Sequence, residues 1–379
     1  MNSQLRKPSG KRGVFRGEIM SFVEIAQTGN IDQLKRLIAK GVDVNDRDEY
    51  GNTALHKAVQ MGPKALIKFL VANGADVNAR NKKNEVPLHL ITEGPLDILK
   101  MAKLLLSAGA DVNASDAQEK TPLHWAVERN YYDMVKVLVK KGAGVNVKDK
   151  SGDAPLHQAA QGGNKAIAKF LIKKGADINL QNNNGKAPIE NAVHNKHKRL
   201  IKLFIAYGVD INTKFKDGQT MLHLAAQENM SRIVKLLISR GADVQGQDKN
   251  GKTPLHIAAY EGHESMIKLL LNRGADINAE DEQGNTPLYF VIKQGNYDIM
   301  KLLIIKGADI NHRNKSGETP LHWSVDCGTK DQQKLIKVLL KYKVHINVKD
   351  VNGETPLYWA NQRGHNDIVK ILERSGAKE

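Results

Sequence analysis

The chain has a single cysteine, Cys327, in 379 residues, which excludes an intrachain disulfide framework and a multi-cysteine zinc site and suits a reducing compartment. Aromatic residues make up only 5% of it, so a core must be built from Leu, Ile, Val and Ala, a composition that favours close-packed helices. No uninterrupted apolar run reaches 18 residues, so no segment reads as a bilayer-crossing helix. The basic start MNSQLRKPSGKRGVFRGE is not followed by an apolar stretch of signal-peptide length. Acid is the scarcer charge: 57 Lys and Arg stand against 41 Asp and Glu, a formal net charge of +16. That balance favours acidic partners, whether protein, phospholipid surface or nucleic acid, without choosing among them.

Repetition is what the chain has in abundance. A tetrad of the form T-P-L-H carries its Leu or Ile at Leu55, Leu88, Leu123, Leu156, Ile189, Leu222, Leu255, Leu288, Leu321 and Leu357, with 33 residues as the commonest step. A second marker, G-A-D-[VI]-N, recurs in phase at Gly74, Gly109, Gly175, Gly274 and Gly307, with variants opening at Gly41, Gly142, Gly208 and Gly241. Within one copy, Asn250-Gly251 marks a turn, Thr253 suits a helix N-cap and Pro254 the first helical position. Leu255, Ile257, Ala258 and Ala259 make a short apolar face that Glu261-Gly262 ends. Met266, Ile267, Leu269, Leu270 and Leu271 give a second helix its stripe, and Gly274 supplies the residue past its end. Neither helix is long enough to be stable alone, so each copy must bury its face against its neighbours.

T-P-L-H-x-A at this period resembles the ankyrin repeat, over residues 17–379. The resemblance implies an all-α solenoid of stacked helix-turn-helix units with projecting β-turn loops. On that reading residues 1–16 are a disordered basic tail and 17–379 a single domain. A degenerate capping repeat, 17–48, precedes ten repeats beginning near 49, 82, 117, 150, 183, 216, 249, 282, 315 and 351. The resemblance further implies a non-catalytic, monomeric protein–protein interaction scaffold without cofactor or metal. Its partner would lie along the concave groove formed by turn tips and first helices. Carried over, the partner-binding rim is Lys120, Lys148, Lys150, Lys186, Lys214, Lys216, Lys249, Lys252, Tyr260, Arg313 and Lys315, which calls for an unidentified protein with an acidic surface. The ends of the first helices lean acidic, with Glu93, Glu128, Glu228, Glu261 and Asp326 against Arg129, Lys293 and Arg363, so a mildly acidic groove floor is expected beneath the basic rim.

The alternative is an electrostatic binder of nucleic acid or of an anionic membrane surface; aromatic-poor tips argue against single-strand stacking and make nucleic acid the weaker option. A cytoplasmic protein, or one delivered into a host cell, fits the lack of a leader or membrane helix. Long arrays rich in Lys, Asn and Ile resemble those of intracellular bacteria and large viruses, which suggests a host-interacting effector.

Other motifs are weighed inside this frame. GQDKNGKT, residues 246–253, matches the phosphate-binding pattern G-x-x-x-x-G-K-[ST]. Yet Gly251 is the repeat's turn glycine, Thr253 its capping threonine, and no strand precedes them, so a loop is expected. Seven histidines, His56, His89, His124, His157, His223, His256 and His322, close the tetrads, and the resemblance implies that they tie each turn to its neighbour. His194 and His197 share a helical spacing but have no acidic or sulfur ligand beside them. Trp125, Trp323 and Trp359 read as packing residues. Lys35, Lys68, Lys103, Lys136, Lys169, Lys202, Lys235, Lys268, Lys301, Lys337 and Lys370 occupy one second-helix position in every repeat, a solvated ladder or an anionic docking stripe. Repeat three lacks its turn glycine and repeats three and ten carry insertions. Repeat six has Glu190 in place of histidine, which puts its coupling to adjacent repeats in doubt.

Overall fold

The computed structural model describes residues 20–61, 64–91 and 98–379; the expected tail, Glu93 and the insertion of repeat three lie outside them. Among the described residues twenty-two helices, α1 to α22 in chain order, supply two per repeat, and the one strand-like pairing is a bridge between Arg47 and Thr53. The fold is therefore an all-α repeat architecture. It falls into two compact blocks divided between Gly144 and Val145, the first holding repeats one to four and the second repeats five to eleven. The core is mainly aliphatic, as the aromatic poverty requires, with Phe204 and Trp323 the largest fully buried rings among the described residues. In repeat eight Leu255, Ala258 and Ala259 of α15 (Pro254–Tyr260) and Met266, Ile267 and Leu270 of α16 (Glu264–Leu271) are fully buried.

The two sequence markers prove to be two systems of hydrogen bonds between repeats. In the tetrad, the backbone N–H of Thr253 donates to His256 Nδ1 at 3.0 Å, while His256 Nε2 lies 3.1 Å from the Asn285 carbonyl of the next repeat. A ring that accepts at Nδ1 must carry its proton on Nε2, so the imidazole is neutral and donates onward. His56, His89, His157, His223 and His322 repeat both bonds, reaching the carbonyls of Glu85, Lys120, Lys186, Lys252 and Glu354. Thr253 thus stands at the N-cap as its sequence suggests, but the histidine ring provides the cap bond.

In the second marker the asparagine amide is the clasp. Asn146 donates to the Gly175 carbonyl at 3.0 Å and accepts from the Asp177 N–H at 2.8 Å. The variant Gln245, one methylene longer, keeps both bonds, to Gly274 and from Asp276. Turn geometry fixes the remaining glycine. Gly251 has φ +75°, and a Cβ there would lie 2.6 Å from the backbone N of Glu282, so both conformation and space exclude a side chain. Asn84, at the same turn position in repeat three, adopts φ +59° and shows how that repeat manages without glycine.

Candidate functional groove

The turn tips are held before any partner arrives. Asp248 Oδ1 accepts the N–H groups of Asn250 and Lys252 at 2.8 and 2.9 Å, which closes the turn on itself. Adjacent tips then bond to each other: Lys249 N–H donates to the Asp217 carbonyl at 3.1 Å, Glu282 N–H to Asn250 at 2.9 Å and Lys315 N–H to Gln283 at 3.0 Å. This ladder holds the tips in register.

The rim cations divide into three kinds. Lys148 Nζ donates to the Gln181 carbonyl at 2.7 Å, Lys214 Nζ to Gln247 at 2.8 Å, and an Arg313 guanidinium N–H to Lys349 at 2.8 Å. These three are staples between consecutive turns, as are Arg47 and Arg80 in the first block. Lys120 is paired with Glu128 at 2.9 Å and lies 5.3 Å from the Trp125 ring centroid, and Lys252 lies 4.9 Å from that of Phe290. Lys150, Lys186, Lys216, Lys249 and Lys315 are exposed and belong to none of the ion pairs among the described residues. Tyr260 is 53% exposed, its ring edge-on to Phe290 at 6.3 Å. The staples share one register: Arg47, Arg80, Lys148 and Arg313 each directly precede the turn's Asp or Asn and Lys214 precedes Phe215 at the same place, while Ser115, Gln181, Gln247 and Glu280 hold that position in other repeats.

The floor is less acidic than its sequence suggests. Glu128 pairs with Lys120, Glu228 with Lys196 at 3.0 Å, and Asp326 with both Lys293 and Arg363 at 2.7 Å. Burial pushes the Asp326 carboxyl up, but its bonds to Lys293 and Arg363 outweigh this and hold it below the usual range. Only Glu261 among the described floor acids stands exposed and outside the ion pairs. The tryptophans are packed, Trp323 being 1% exposed, and each indole N–H also reaches a turn carboxylate: Asp116 and Glu318 at 3.0 Å, Glu354 at 2.8 Å.

Family models for ankyrin repeats match residues 64–149, 88–182, 156–248, 189–281, 222–314 and 288–378, and a further one matches 22–71. The chain is an ankyrin-repeat protein. A search of curated proteins returns no match to it. Ankyrin repeats are in general protein–protein interaction modules, and the array should be read in that light.

The other motifs fit the ankyrin frame. GQDKNGKT is a loop and turn tip: the helix after it, α15, has seven residues, a turn precedes it, and Lys252 lies against Phe290. His197 Nε2 lies 2.9 Å from the Gln161 carbonyl of the preceding repeat, whereas His194 is exposed. Among the described residues no group of three or more His, Cys, Asp or Glu could hold a metal, and no helix is long and apolar enough to cross a membrane. Cys327 Sγ donates to the Ser324 carbonyl at 3.2 Å at the end of α19 (Pro320–Asp326). All eleven ladder lysines are exposed.

Proposed function

We propose that this ankyrin array is a non-catalytic scaffold that holds an acidic protein segment against the turn tips of its second block. The observation that carries the reading is the division of the rim: Lys148, Lys214 and Arg313 are satisfied internally, while Lys150, Lys186, Lys216, Lys249 and Lys315 project unpaired. Exposed cations of this kind steer an acidic partner and fix its register more than they add affinity. Affinity needs a desolvated anchor, and Tyr260 beside Phe290, with Lys252 over the Phe290 ring, supplies an aromatic one. A crosslinked pull-down with the full chain tests this. Reversal of the five free lysines to glutamate is expected to remove the captured partner, and an unchanged set of captured proteins would refute the assignment. Binding to such a groove is expected to saturate and to survive moderate salt, unlike capture of nucleic acid by charge alone.

A further inference from the structure

The second helices of repeats five to seven break a local rule. α10 (Lys165–Lys173), α12 (Lys198–Ala206) and α14 (Ser231–Ser239) pack side by side, and none has an acidic residue in its first turn. Later in the same block α16, α18 (Tyr297–Ile305) and α22 (Asn366–Arg374) open with Glu264, Asp298 and Asp367, and α20 (Gln332–Lys341) follows Asp331. A helix N-terminus carries partial positive charge and favours anions. Lys165, Lys198, Arg199 and Arg232 work against that dipole, are exposed, and take part in no ion pair among the described residues. A breach repeated in three neighbours without local compensation marks a surface shaped for something other than stability.

The breach extends along the helices. Lys169, Lys202 and Lys235 add exposed cations in the middle turn, Lys173 and Arg240 at the ends, and the three helices contain no Asp or Glu. Glu228, just before α14, lines one pocket with Lys198 and Arg199 but is paired with Lys196 at 3.0 Å, and Asp177, Asp210 and Asp243, in the turns that follow the helices, each accept the N–H two residues on. A nine-residue helix is about 13 Å long and packed neighbours lie about 8 to 10 Å apart. The cations therefore form a grid roughly 13 by 20 Å, not a single track. Tyr207, directly after α12, is 37% exposed at its edge, and Tyr is a residue that settles at headgroup depth. A nucleic-acid strand asks for a groove with stacking platforms. A two-dimensional raft of flexible cations suits a flat, laterally fluid anionic surface.

We propose that the face formed by α10, α12 and α14 docks the protein on a bilayer carrying anionic phospholipid. It uses none of the rim lysines and is independent of the groove reading. Flotation of the full chain with phosphatidylcholine vesicles, with and without about one third phosphatidylserine, tests it, since polybasic surfaces respond to anionic lipid alone. Binding is expected only with the anionic lipid and is expected to fade as salt rises from about 0.1 M to about 0.5 M. The triple variant Lys169→Glu, Lys202→Glu, Lys235→Glu should bind on the order of 100-fold more weakly, with Lys→Gln at the same sites intermediate and circular dichroism unchanged. The rim variant should bind vesicles like the natural chain. No binding to anionic vesicles, equal binding by the triple variant, loss in the rim variant, or tighter binding of a mixed-sequence duplex RNA than of vesicles would each overturn the proposal.

Discussion

At Tyr289 a single replaced residue shows what the tetrad histidine does. Thr286 Oγ1 is buried without a hydrogen-bond partner: the Tyr289 ring has no nitrogen where the histidine repeats place Nδ1, and the bond by which Thr355 Oγ1 accepts the N–H of Tyr358, the other tetrad tyrosine, at 3.2 Å is not made here. In repeats with histidine the equivalent threonine hydroxyl has the ring nitrogen at 2.9 Å. An orphaned buried hydroxyl costs about 1–3 kcal/mol. Tyr289 also packs edge-on against Phe290 and Trp323, with centroids 5.1 and 4.9 Å away, and part of that packing is lost with the ring. Tyr289→His is therefore expected to stabilise the second block by about 1 kcal/mol in urea unfolding. A variant no more stable than the natural chain would mean that the hydroxyl finds water and that the tetrad histidine matters for the onward bond alone.

For the element, the question is why α10, α12 and α14 keep cations in their first turns. If the grid serves an anionic surface, stability and docking must oppose each other there. The double variant Lys165→Glu, Arg232→Glu is expected to raise stability by roughly 0.3–1 kcal/mol per site, while vesicle binding weakens. A variant that loses both would show that these side chains pack structurally. Period, helix pairing and the burial of Leu255, Ala258 and Ile267 were legible in the sequence because a 33-residue recurrence with fixed turn and cap residues leaves one way to bury the apolar faces. The rim was less so. Lys148 and Lys249 look alike as turn lysines, yet Lys148 precedes its turn aspartate and reaches the next turn's carbonyl, whereas Lys249 follows its aspartate and projects outward. The charge of the floor was also hidden, since Lys293 and Arg363 reach Asp326 from repeats 33 and 37 residues away. Composition along the chain does not show such pairings.

Across the whole molecule, the tetrads make stability depend on pH through groups of opposite sign. Burial depresses His157, His223, His256 and His322 in the second block and His89 in the first, where it also lowers His56 from 6.5 to about 4. These rings are neutral when folded and protonate when unfolded below 6.5, so the stability they confer is full above that pH and is lost as pH falls towards the folded value. Glu190 does the reverse. Its Oε1 accepts the Ala187 N–H at 2.6 Å, doing the work of imidazole Nδ1, but as a carboxylate it has no proton for repeat seven. Burial pushes it from 4.5 up to about 7, so folding favours its protonated form, and its contribution is full below 4.5 and lost as pH rises through about 7. Between about pH 4.5 and 6.5 the single carboxyl thus works against the second-block histidines, its own proton being linked to about 1.4 kcal/mol per pH unit. Glu190→Gln keeps an oxygen acceptor for Ala187 and removes the titration. The variant is expected to match or exceed the natural chain at pH 8, where the buried charge is gone, and to lose stability more steeply, by about 1.4 kcal/mol per pH unit, as the pH falls from about 6.5 to about 4.5. Parallel stability curves for the two proteins across that range would place the Glu190 carboxyl in water in the folded state, and the joint between repeats six and seven would then owe nothing to its proton.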